Sequence, residues 1–157
     1  MTGFVCLYKP EDMTSFGAVA RVRRIMGEKK AGHCGTLDPM ATGVLPIMLG
    51  GATRFLDFLP SSKKRYTAVM RLGITTDTLD ITGEVLSESP VNADFAQVCS
   101  VAENFKGDIM QIPPMYSAIK KDGVRMYALA RKGIEVEREA RPVTVFRLDV
   151  FEEFEGV

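Results

Sequence analysis

The side chains best suited to chemistry in this sequence lie in one short run, Gly32-His33-Cys34-Gly35-Thr36-Leu37-Asp38-Pro39-Met40-Ala41-Thr42-Gly43-Val44-Leu45-Pro46. It holds the only histidine of the chain and a carboxylate, Asp38, set in a glycine-punctuated stretch ahead of an apolar segment. Glycines let the backbone turn tightly and approach a ligand closely. Pro39 drives Asp38 toward an extended conformation. A carboxylate held on such a loop can act as a nucleophile or as a base. It can equally close a turn with its own side chain, as Asp-Pro segments often do, and the local pattern leaves both readings open. His33 is open in the same way, between a ligand contact and a histidine that satisfies one hydrogen bond. A metal site on His33, Cys34 and Asp38 is a poor reading, because zinc takes three or four protein ligands and no second histidine or neighbouring cysteine is at hand.

The elements around this run must position it. Residues 3–8 read as a short buried strand, interrupted by Lys9-Pro10. Thr14 or Ser15 can cap a helix that runs to Met26 and ends at Gly27. Phe16, Val19, Val22 and Met26 share one helical face, with Arg21, Arg23 and Arg24 mostly off it. Residues 32–43 read as a loop. Residues 44–49 read as a strand, in which Pro46 indicates an edge position or a bulge. Beyond it come a short helix over 52–59 and a strand over 63–74, with Tyr66, Ala68, Met70 and Leu72 alternating. Residues 75–84 are polar with little pattern. A second amphipathic helix covers 92–105, its apolar face formed by Phe95, Val98, Val101, Ala102 and Phe105. Strands are expected over 109–112, 116–119 and 143–151, a hairpin turn at Lys121-Asp122-Gly123, and a short helix over 126–132. Strands and helices mix without a regular βαβ rhythm, which predicts an α+β fold.

A chain of 157 residues is the usual size of one domain, and 46% hydrophobic against 25% charged residues supplies a core. Twenty basic and twenty acidic residues cancel, so overall charge does not single out nucleic acid as a partner. The charge is unevenly placed. Residues 9–30 hold six basic and three acidic side chains. Lys63, Lys64, Arg65 and Arg71 form a purely basic stretch, and residues 120–132 carry Lys120, Lys121, Arg125, Arg131 and Lys132 against Asp122 alone. Each cluster by itself reads as a solvated face. Brought together by folding, three of them would make a basic binding face. Three scattered cysteines form no disulfide framework. The N-terminus lacks the apolar core of a signal peptide, and no apolar run approaches the roughly 20 residues of a membrane helix. A cytoplasmic protein is expected.

The run GHCGTLDPMATGVLP resembles the signature of the TruB family of tRNA pseudouridine synthases and, through it, that of the related dyskerin-type enzymes. Other segments agree in order. Lys9-Pro10 with Thr14-Ser15 resembles the family's KPxGxTS start, with Asp12 where a glycine is usual. Lys64-Arg65-Tyr66 resembles its KxY motif. Asp77-Thr78-Leu79-Asp80 with Thr82-Gly83 resembles its TxTDTxDxxG segment, and Pro113-Pro114-Met115-Tyr116-Ser117-Ala118-Ile119-Lys120 its PPxYSAxK strand. Tyr127-Ala128-Leu129-Ala130-Arg131-Lys132-Gly133 resembles part of an RNA-contacting insertion, the thumb, placed at about 120–142. The resemblance covers nearly the whole chain.

The resemblance implies an α+β catalytic domain with a mixed, mostly antiparallel sheet flanked by helices and loops. It implies conversion of uridine to pseudouridine at position 55 in the T-loop of tRNA, with neither cofactor nor metal. Asp38 is then the catalytic carboxylate, acting by attack at C1′ or by proton removal at C2′. Tyr66 stacks on the flipped-out base and takes part in catalysis. His33 contacts the RNA where the target leaves its stack, and Lys64 lies on a phosphate track. Lys9 belongs with the substrate-binding residues or, with Thr14, supports the loop. Arg125, Arg131 and Lys132 contact RNA phosphate from the thumb. The implied partner is the T-arm stem-loop of tRNA, met by a monomer away from any membrane. Family members continue with a strand bearing a Tyr-x-Arg motif, whose arginine pairs with the catalytic aspartate, and often with a PUA domain. The chain is therefore expected to be a C-terminally truncated piece of the catalytic domain. Two other readings remain, an RNA-binding module without chemistry and the guide-RNA-dependent branch of the family.

Overall fold

A computed structural model describes residues 1–59, 63–117, 120–121, 123–130, 133–134 and 136–152. The chain divides into two compact units, Met1–Thr67 and Ala68–Val157. In the first, β1 (Gly3–Lys9) and β2 (Ala31–His33) pair antiparallel with opposite edges of β3 (Gly43–Leu49), giving the order β1-β3-β2. Burial alternates along β1, with Val5 and Leu7 half-buried and Phe4, Cys6 and Tyr8 exposed. The strand is covered on one face, not buried outright as the sequence indicated.

Helix α1 (Ser15–Ile25) starts from Thr14, whose hydroxyl accepts the Gly17 N–H at 2.9 Å. It stops where Gly27 takes a left-handed φ of 61°, a conformation that suits glycine. Ala18, Val19 and Val22 of α1 pack on Leu45, Ile47 and Leu49 of β3, and Val5, Leu7, Met13, Ala31 and Leu37 complete the core. Each large aliphatic side chain buried there contributes about 1.5–3 kcal/mol. The buried face differs from the expected one: Phe16 is 75% exposed and Ser15 only 3%. One step of rotation puts Ser15 on the inner face, where its hydroxyl has a partner in the loop.

Pro46 sits in the central strand, contrary to the edge or bulge expected of it. Paired to Cys6 on one side, it accepts the Cys34 N–H at 3.0 Å on the other. Its missing donor faces the β2 side just past the end of that ladder, at the pair His33↔Ile47, so little hydrogen bonding is forfeited. After β3 the chain enters a 3-10 helix (Gly50–Phe58).

In the second unit every ladder is antiparallel. The strand expected over 63–74 forms a ladder only at β4 (Ile74–Thr76), which makes a hairpin with β5 (Val85–Glu88). The intervening polar stretch is a built turn. Asp80 accepts from the Thr82 hydroxyl (2.6 Å), the Thr82 N–H (2.8 Å) and the Thr78 hydroxyl (2.8 Å). Helix α2 (Phe95–Ala102) opens on a capping box between Asp94 and Gln97 and continues as a 3-10 turn to Phe105, with no residue of α2 buried. Strand β6 (Gly107–Gln111) pairs with β9 (Arg141–Val145), so the strand expected to reach residue 151 ends its pairing at Val145. Strands β7 (Lys120–Lys121) and β8 (Val124–Arg125) form the expected hairpin, and α3 (Met126–Ala130) follows. Tyr116 and Ser117 lie in a bend where a strand was expected, and residues 118–119 and 131–132 lie outside the described residues.

Candidate active site

The Asp38 loop joins β2 to β3, and its shape comes from groups that are buried beneath it. The Asp38 carbonyl accepts the Ala41 N–H at 3.0 Å, so backbone atoms close the turn. The exposed Asp38 carboxylate has no hydrogen bond or ion pair among the described residues. The side-chain cap that an Asp-Pro sequence allows is therefore not made. Leu37, on one side of Asp38, is gripped at both polar groups: the Ser15 hydroxyl donates to its carbonyl at 2.9 Å and accepts its N–H at 2.9 Å. Pro39, on the other side, has its carbonyl held by Lys9 Nζ at 3.0 Å. The Leu37 side chain packs on the core.

Lys9 is fully buried. Its other two bonds go to the carbonyls of Pro10 and Met13, both at 2.8 Å, so the three donors of the amine each meet one acceptor. Burying an ammonium costs several kcal/mol unless partners of this kind compensate. Of the two readings the sequence left for Lys9, substrate contact and support of the loop, its full burial and its bond to Pro39 fit the second. Asp12, within the same turn, has a φ of 58°. That left-handed geometry accounts for glycine being the usual residue in the KPxGxTS pattern, and aspartate is among the few others that adopt it readily.

His33 ends β2, half-buried, and its Nδ1–H donates to the Gly35 carbonyl at 2.6 Å, which fixes the tautomer. Cys34 follows, also half-buried. Burial pushes its thiol up from the ordinary value and the neighbouring Cys6 adds to the shift, so Cys34 is a poor nucleophile. Gly35 has a φ of 109°, and Lys64 Nζ lies 3.9 Å from where a Cβ would stand on it. A Cβ at position 35 would meet that lysine only in ordinary van der Waals contact, so it is the positive φ that favours glycine there. Tyr66 is two residues beyond Lys64 and 66% exposed. The structure thus brings Lys9, His33 and Lys64 to the Asp38 loop. Arg125 lies on β8 in the second unit, and Arg131 and Lys132 lie outside the described residues. Ser15 is the positioning residue that sequence reasoning passed over. Its only signal was a Thr-Ser pair at a helix start that needs a single cap.

The family described as TruB family pseudouridylate synthase (N terminal domain) matches residues 23–155. The chain is 51% identical over 151 residues to the tRNA pseudouridine synthase B of Clostridium tetani, covering 96% of this chain and 52% of the relative. It is 51% identical over 146 residues to the protein of the same name from Photorhabdus laumondii, covering 93% and 46%. The chain spans about half the length of these curated relatives. Among solved structures it resembles a chain in the crystal structure of a Cbf5-Nop10-Gar1 complex, with a TM-score of 0.60 and 27% identity over 96% of this chain and 35% of that one.

Proposed function

The chain belongs to the TruB family of pseudouridylate synthases, and from that premise we propose that it supplies the catalytic carboxylate, Asp38, of an enzyme converting uridine to pseudouridine at position 55 in the T-loop of tRNA. The observation that carries this reading is the Asp38 carboxylate itself: exposed, unbonded among the described residues, and pinned on both sides through Leu37 and Pro39. The reaction breaks the N1–C1′ bond, joins C5 to C1′, removes the C5 proton and leaves one on N1. It asks of the protein one carboxylate at the ribose, held in place, and requires no net change of atoms. A stacked nucleotide does not expose its glycosidic bond, so the target must flip out.

In this reading the exposed ring of Tyr66 offers the flipped base a stacking surface. His33 occupies the space beside the loop from which the base leaves, and Lys64 meets a phosphate next to the pocket. Lys9 supports the loop without touching RNA. Arg125, Arg131 and Lys132 reach RNA phosphate from a thumb at about 120–142. Relatives named tRNA pseudouridine synthase B stand at 51% identity, against 27% for the Cbf5 chain, which favours free-standing action on tRNA over guide-directed action. We read the enzyme as a cytoplasmic monomer; its three cysteines are free, and no helix among the described residues is long and apolar enough to cross a membrane. The 157 residues are read as part of a catalytic domain.

The test is a chimera in which this chain replaces the matching half of the Clostridium tetani relative, incubated with a T-arm stem-loop. Pseudouridine, separated from its equal-mass isomer by chromatography, is expected at the T-loop uridine alone. Tight binding without product would favour the RNA-binding module instead.

A further inference from the structure

The outer face of α1, opposite the core, carries charge that the Asp38 site does not use. Arg21, Arg23 and Arg24 are exposed and have no ion-pair partner among the described residues. Together with Gly17, Ala20 and Lys29 they line an open cleft of about 850 Å³. Gly17 and Ala20 present almost no side chain, which leaves the room between the arginines. The one acid in the cleft, Glu28, is already committed. Its carboxylate takes the Met1 ammonium and the N–H groups of Lys29 and Lys30, and the bond to the ammonium, followed by that from Lys30, holds its pKa below the ordinary value. Favourable placement at the end of a helix dipole accounts for Arg23 and Arg24, but not for Arg21 or Lys29.

The helix also fixes where this cleft lies. Ser15 in its first turn is bonded to Leu37, the residue before Asp38. At about 1.5 Å per residue, Arg21 and Arg24 stand roughly 9 and 14 Å along the axis from Ser15. That is within reach of the few nucleotides neighbouring one bound at Asp38. Arg21 and Arg24 are three residues apart on one helix face, and a guanidinium grips a phosphate through two parallel N–H bonds.

We propose that this cleft binds phosphodiester groups of the RNA backbone a few nucleotides from the target uridine, as a track separate from the base pocket. The proposal rests on the RNA-modifying reading above and adds an interface to it. Contacts of this kind position the RNA without reading its sequence.

The experiment titrates the full chain with a T-arm stem-loop RNA across a salt series. It compares wild type, Arg21→Gln/Arg24→Gln/Lys29→Gln, the charge-keeping Arg21→Lys/Arg24→Lys, and Lys106→Gln as an exposed control in the second unit. Each phosphate contact contributes about 0.9 to the slope of log affinity against log salt. The triple variant is expected to lose about 2 to 3 from that slope and to bind at least about tenfold more weakly near 0.1 M salt. The charge-keeping variant and Lys106→Gln are expected to keep the wild-type slope. Unchanged slope in the triple variant, or equal loss in Lys106→Gln, overturns the cleft while leaving the RNA reading intact. Absence of RNA binding by the wild type overturns both.

Discussion

Lys9→Met keeps most of the buried stem in place and removes the three donors that hold Pro10, Met13 and Pro39. Hydrogen bonds from a charged group contribute about 1.5–3 kcal/mol each, so three would sum to roughly 5–9 kcal/mol. Two effects reduce that figure. Methionine avoids the desolvation of an ammonium, worth several kcal/mol. Pro10 and Pro39 are exposed residues, so their freed carbonyls can turn to water. A net loss of about 2–4 kcal/mol remains, which in a chain of this size lowers the melting temperature by roughly 5–15 °C. Thermal and urea unfolding measure it. The functional consequence follows from position: a loosened Pro39 lets Asp38 wander, while no RNA contact is lost. In the chimera, kcat should fall and RNA affinity should stay. Weakened RNA affinity with stability unchanged would refute the reasoning and return Lys9 to the substrate-contacting residues.

Two further outcomes follow from the turns. Burial pushes the Asp80 carboxyl up, but hydrogen bonds from the Thr82 hydroxyl, the Thr82 N–H and the Thr78 hydroxyl outweigh it and leave it below the ordinary value. Its stabilising effect is therefore present above an unfolded pKa of about 4 and is lost as pH falls through the lower folded value. Asp80→Ala should cost about 1–2 kcal/mol at neutral pH in urea unfolding, with the gap to wild type closing in acid; a constant gap would contradict the assignment. At the left-handed Asp12, Asp12→Gly should be neutral or stabilising by up to about 1 kcal/mol, and Asp12→Val destabilising by about 1–2 kcal/mol. Equal melting temperatures for the two variants would show that the strain is not there.

How much of this could be read from the sequence depended on whether the deciding partner was local. The glycines marked residues 32–43 as a loop but left Asp38 open between a turn cap and a reactive carboxylate, whereas the helix start at Thr14 was legible because a cap bonds three residues ahead. Ser15 was not, since its partner Leu37 is 22 residues away. Lys9 stayed open between substrate contact and loop support for the same reason: a lysine reads as surface until three converging carbonyls are known. Alternation over 63–74 announced a strand, but a ladder needs a partner edge, and among the described residues only Ile74–Thr76 has one. Pro46 argued for an edge, yet the end of β2 just beside it makes a central position tolerable. The Asp80 turn had no periodicity to show, because side-chain bonds to backbone build it.

The central claim is that Asp38 performs the chemistry and that its neighbours only hold it. The measurement is a single-turnover rate of pseudouridine formation in the T-arm stem-loop by the chimera, with Asp38 intact and as Asp38→Asn, alongside RNA binding by both. Asparagine keeps the size of the side chain and removes the charge. The account predicts that the substituted protein binds RNA as before and forms no detectable pseudouridine. Product at the wild-type rate in Asp38→Asn would contradict it.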